Sequence, residues 1–136
     1  MASTDVSPSP ARARPLSPHL TVYRWTMTMA MSIFHRITGG ALYVGTILLA
    51  WYLIALSMDE SAFGVVSGFL NSIIGQIILF GFTWALIHHA LGGIRHAIWD
   101  TGYGMEKPMR DQLACATLIG GVVLTIVVWI IGYAVR

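Results

Sequence analysis

The chain has 136 residues, 56% of them hydrophobic and 10% charged, where a soluble domain carries about 25% charged residues. Eight Lys/Arg against six Asp/Glu give a formal charge of +2, an imbalance too small for a nucleic-acid-binding surface, and no nucleic-acid partner is expected. The single cysteine, Cys115, lies in an apolar run, which excludes an internal disulfide, a CxxC redox pair and an iron–sulfur cluster held by this chain alone; the lack of GxGxxG and GxxxxGK[ST] patterns assigns nucleotide and flavin chemistry to other chains.

Residues 1–23 contain Pro8, Pro10, Pro15 and Pro18, which prevent a continuous helix, so an extended N-terminal arm is expected there. The arm has no apolar core of the kind a secretory signal carries. Residues 24–136 read as one membrane domain of three helices. Stretches 37–58, 61–94 and 112–135 contain no Asp, Glu, Lys or Arg, and each meets the roughly 20 residues needed to cross a bilayer core. The expected spans are about 30–58, 69–97 and 113–133; the second is started late because residues 63–71, FGVVSGFLN, carry Gly, Ser and Asn. The last is rich in Ile and Val, yet backbone groups in lipid must be satisfied within the segment, which favours helix over strand. The fold class is therefore an all-α membrane protein with three transmembrane helices.

Charge placement gives an orientation. Arg12, Arg14, Arg24 and Arg36 precede or open the first span, Asp59 and Glu60 follow it, and Arg95, Lys107 and Arg110 surround the second connection. The positive-inside rule then puts the N-terminus and the second connection on the cytoplasmic side.

Two constellations carry chemistry. His89 and His96 are seven residues apart on the second long span, about two turns, so they share a face some 10 Å apart along the axis. Gly92 and Gly93 lie between them on that face and leave room for a flat ligand. An imidazole in a membrane helix is costly without a polar partner, so the alternatives are an interhelical hydrogen bond and metal ligation. A haem needs an axial histidine, small residues beside it and polar or cationic groups for its propionates; His35, Arg36, Arg95 and His96 are available for the last. His88 points about 100° away from His89, so the two cannot face one haem, and His89 is favoured because it aligns with the glycines and His96. The second constellation is Ser32, His35 and Arg36, at i, i+3 and i+4 on the first span. A hydroxyl and a guanidinium at the membrane boundary can donate hydrogen bonds to quinone carbonyls; the plainer alternative is an interfacial Arg reaching phosphate and a Ser capping the helix. The five tryptophans default to an interfacial belt, and Gly64 with Gly68 forms a GxxxG that suggests close helix approach.

Residues 14–23 read RPLSPHLTVY, 32–39 SIFHRITG and 89–100 HALGGIRHAIWD, in that order among three spans. From about Arg14 to the C-terminus the chain resembles the cytochrome b556 anchor family of succinate dehydrogenase, respiratory complex II. The resemblance implies a heteromeric helical bundle with a second membrane anchor subunit, which supplies the other axial ligand of a shared haem b. It assigns His89 as the axial ligand on this chain, Ser32 and Arg36 to a ubiquinone pocket, and His35, Arg36 and His96 to the haem propionates, with Gly92 and Gly93 in the pocket. Relatives often have tyrosine where this chain has His88.

The resemblance further implies a flavoprotein subunit with FAD that oxidises succinate and an iron–sulfur subunit that passes electrons singly to ubiquinone, with residues 14–19 of the arm as a contact for the latter. The expected location is a bacterial inner membrane, crossed several times with the N-terminus cytoplasmic, in preference to the mitochondrial inner membrane. Two other readings stand beside it: the anchor of a fumarate reductase or another quinone-linked dehydrogenase, and a haem-free membrane scaffold in which His88, His89 and His96 only bridge helices.

Overall fold

The computed structural model describes residues 24–135; the N-terminal arm, with its expected iron–sulfur contact, lies outside the described residues. Four helices follow one another: α1 (Met27–Met58), α2 (Glu60–Asn71), α3 (Ile73–Asp100) and α4 (Lys107–Ala134). Among the described residues there is no strand, and α1, α3 and α4 are long and apolar enough to cross a membrane. The protein is an all-α integral membrane protein.

Each boundary has a local cause. The Thr26 hydroxyl accepts from Met29 N and starts α1, so Ser32 lies inside the helix and does not cap it. Asp59 adopts an extended backbone between α1 and α2, and its carboxylate accepts from Ala62 N at 2.8 Å. Ser72 repeats the device: its hydroxyl accepts from Gly75 N at 3.1 Å and donates to Phe69 O at 2.6 Å. Such side-chain caps satisfy amides that have no partner within the helix. The turn needs glycine at 75, where a Cβ would collide with Phe69 O. The second span thus begins at Ile73 rather than near Phe69, and residues 60–71 form a separate helix. Phe69 against Trp51 and Phe63 against Tyr52 hold α2 to α1, with ring centres 5.6 and 5.8 Å apart. Gly102 and Gly104, at φ of 80° and 78°, make the α3–α4 turn with the left-handed backbone that favours glycine; Trp99 Nε1 closes it by donating to Gly104 O at 3.1 Å. Pro108 enters α4 in its first turn, where its missing N–H costs nothing.

The three long helices alternate in direction, so the start of α1, the end of α3 and the start of α4 share one end of the bundle. α1 has 32 residues, about 48 Å at 1.5 Å per residue, against about 30 Å of hydrocarbon. Its first turns therefore reach the boundary, and they carry Ser32, His35 and Arg36.

The bundle buries small and polar groups and turns its large apolar side chains outward. Ala85, Ala114, Thr38, Thr117 and Thr125 are buried, whereas Ile47, Ile74, Ile119 and Ile130 are more than 60% exposed. Lipid removes the hydrophobic drive to hide such side chains, and small residues let helices approach. The threonines satisfy themselves on their own helices: Thr38 donates to Phe34 O at 2.9 Å, Thr117 to Leu113 O at 2.8 Å and Thr125 to Gly121 O at 2.6 Å. Close approach occurs at Gly45, whose missing Cβ is replaced by the ring of Phe82. Among the described residues the Gly64/Gly68 pair forms no such seam, since a Cβ at either meets nothing within 4 Å.

Candidate functional site

α1 and α3 bring His35, His89 and His96 into one cluster. The His35 and His89 rings stack with centres 3.9 Å apart and planes 7° from parallel, and His96 lies 5.3 Å from His35. Two spacings produce this: seven residues on α3 align His89 with His96, and antiparallel packing of α1 sets His35 between them. Gly92 makes room for His35, because a Cβ there would overlap the His35 ring. Gly92 therefore serves packing between two helices, whereas Gly93 is exposed, with open space where its side chain would be.

His89 is fixed by its Nδ1, which lies 3.1 Å from His35 O and 3.3 Å from Thr38 Oγ1. A carbonyl can only accept, so Nδ1 carries the proton in this arrangement. The Thr38 hydroxyl, directed at the Phe34 and His35 carbonyls, offers its lone pair to the same N–H. In its neutral form such a ring has its lone pair on Nε2, with the backbone carbonyl as the partner that orients it. Gly39 completes the seat: a Cβ there would come within 3.0 Å of His89 Cε1. Thr38 and Gly39 were not singled out in the sequence; the available signal is their position three and four residues after His35, on the face that meets α3.

His88 points into the bundle. It is 1% exposed, stacks on Trp84 with centres 5.1 Å apart, meets the Phe34 ring edge-on at 6.3 Å, and is closed off by Gly121 of α4. Arg95 shares its side of α3: it too is buried, and its guanidinium lies over Trp99. Arg95 is thus separated from the His89 face with which the sequence grouped it.

On α1, Ser32 is half-buried and Arg36 exposed, while His35 turns toward α3. Ser32 and Arg36 lie one turn apart near the start of α1, the guanidinium-bearing residue being the more exposed. An apolar groove of about 580 Å³ lies further along α1 and α3, lined by Gly45, Leu48, Tyr52, Ile78 and Phe82 among others; Ser32, Arg36 and His89 do not line it. Among the described residues no three His, Cys, Asp or Glu side chains gather as a metal cage.

Residues 10–128 match the profile of the family described as succinate dehydrogenase/fumarate reductase transmembrane subunit. The succinate dehydrogenase cytochrome b556 subunit of Paracoccus denitrificans is 42% identical over 118 residues, covering 87% of this chain and 91% of that protein. Its counterpart in Rickettsia felis is 34% identical over 117 residues, covering 86% and 91%. The mitochondrial succinate dehydrogenase cytochrome b560 subunit of Sus scrofa is 42% identical over 108 residues, covering 78% of this chain and 64% of that protein.

Proposed function

The chain belongs to the succinate dehydrogenase/fumarate reductase transmembrane-subunit family, and from that premise we propose that it is an anchor that holds haem b jointly with a second anchor subunit and helps form the site where ubiquinone is reduced. The observation that carries this reading is the contact of His89 Nδ1 with the His35 carbonyl at 3.1 Å. It leaves Nε2 as the free nitrogen of a neutral imidazole, the form that ligates haem iron. The fit extends outward: His89 is half-buried beside exposed Gly93, so a flat group shared with a second chain can reach it, whereas His88 is enclosed by its own helices. His89 is the axial ligand in this reading, and the second anchor brings the other. His35, Arg36 and His96 hold the propionates, Gly93 borders the pocket, and Gly92 seats the His35 ring. When bound, the haem supplies a one-electron store.

Ser32 and Arg36 orient the quinone. The hydroxyl and the guanidinium donate hydrogen bonds to a carbonyl oxygen, and the fixed cation stabilises negative charge as electrons arrive there. Succinate oxidation with FAD belongs to a flavoprotein subunit, and iron–sulfur clusters belong to a second soluble subunit. Arg24, Arg36, Lys107 and Arg110 at one end of the bundle against Asp59 and Glu60 at the other support a cytoplasmic N-terminus in a bacterial inner membrane. The relatives compared above carry the succinate dehydrogenase name, which favours succinate oxidation as the working direction.

The test is made on the purified complex. Ser32→Ala and Arg36→Ala each lower ubiquinone reduction at least tenfold, while succinate oxidation with a soluble artificial acceptor stays within twofold of wild type. Normal ubiquinone reduction in both variants removes the quinone site from this face of α1.

A further inference from the structure

Arg95 is 3% exposed, and its Nε and Nη1 meet no acceptor. Its guanidinium carbon lies 5.1 Å from the centre of the Trp99 ring. Among the described residues the one ion pair joins Arg110 and Asp111, so no carboxylate compensates Arg95. Of the other described charged groups at this end of the bundle, Arg24 and Arg36 before and on α1, Asp100 on α3, and Glu106 and Lys107 at the start of α4 are exposed, where ions and water screen them, and the half-buried Arg110 and Asp111 pair with each other. Arg95 is the fully buried charge at this end among the described residues.

An unpaired buried guanidinium is strongly unfavourable, and an apolar side chain of similar size would remove that penalty. Retaining one calls for a use of the charge itself. Arg95 follows His89 by six residues, about 9 Å along α3 and on another side of the helix. It therefore faces a different side of α3 from His89, within range of an electrostatic field across the bundle interior. Arg95 lies on the same helix as His89, whose ring stacks on His35 with centres 3.9 Å apart.

We propose that Arg95 raises the reduction potential of the haem held at His89, acting through space as a permanent buried cation that no carboxylate among the described residues pairs. The inference rests on the reading of His89 as the ligand. Reduction adds one electron, delivered from the iron–sulfur partner, and lowers the net charge of the site by one with no bond made or broken. A nearby fixed positive charge stabilises the reduced form. For unit charges about 10 Å apart at an effective dielectric constant of about 20, the reduction equilibrium shifts on the order of tenfold, about 59 mV for a one-electron couple.

The experiment is a redox titration of the haem absorption in the purified complex carrying wild-type chain, Arg95→Lys, Arg95→Gln or Arg95→Met. The Gln and Met variants shift the reduction equilibrium about tenfold toward the oxidised form, and Lys stays within threefold of wild type. An unchanged midpoint in Gln and Met overturns the proposal. Equal shifts in Lys and Gln also overturn it, because shape and not charge would then matter. Loss of haem from all three overturns it as well, since a field effect leaves the ligand in place. Haem that persists unchanged in His89→Ala refutes the ligand reading itself, a result distinct from any Arg95 shift.

Discussion

His88 and His89 are neighbours on α3, and a step of about 100° around the helix gives them different surroundings. His88 is sealed among Trp84, Phe34 and Gly121; His89 stands at the α1–α3 seam, tied by Nδ1 and bordered by open Gly93. The inner imidazole is a packing element of one chain. The outer one has the orientation and the access needed by a group shared between chains. A polar residue in a membrane helix thus takes its meaning from which neighbour covers its face, and composition cannot supply that information.

Glycine substitutions on the two sides separate packing from access. A Cβ at Gly121 already comes within 3.3 Å of His88 Nδ1, so Gly121→Leu overfills the inner side and destabilises the bundle by about 1–3 kcal/mol, read as a lower melting temperature in detergent. Gly93→Leu has open space and costs no more than about 0.5 kcal/mol, yet it stands between His89 and His96 and lowers the haem-to-protein ratio severalfold. Full haem occupancy in Gly93→Leu would break the distinction between the two sides. A smaller effect sharpens it: Thr38→Val removes the secondary acceptor of His89 Nδ1 while the His35 carbonyl remains. Haem affinity then falls by less than about tenfold, measured by haem titration of the stripped complex; a complete loss would mean that the threonine, and not the carbonyl, orients the ring.

The three membrane-crossing helices were legible because long stretches without charge have few other uses. The family was legible from three motifs in order, and the profile and relatives bear it out. α2 was not legible: its Gly, Ser and Asn content resembles a loop, and the aromatic contacts that hold it come from α1, far away in sequence. Residue spacing revealed that His89 and His96 share a face, since that depends on one helix alone. The tertiary contacts of Gly92 and Arg95 were hidden, because His35 comes from α1 to fill the space at Gly92, and the burial of Arg95 depends on how three helices pack. The GxxxG at Gly64 named no partner, and among the described residues nothing lies within 4 Å of a Cβ at Gly64 or Gly68.

The most direct test is the visible spectrum of the complex purified with His89→Ala beside the same complex with His88→Ala. The b-type haem absorption is expected to be lost or severely perturbed in His89→Ala and retained in His88→Ala. Equal loss in both, or loss in His88→Ala alone, would contradict it.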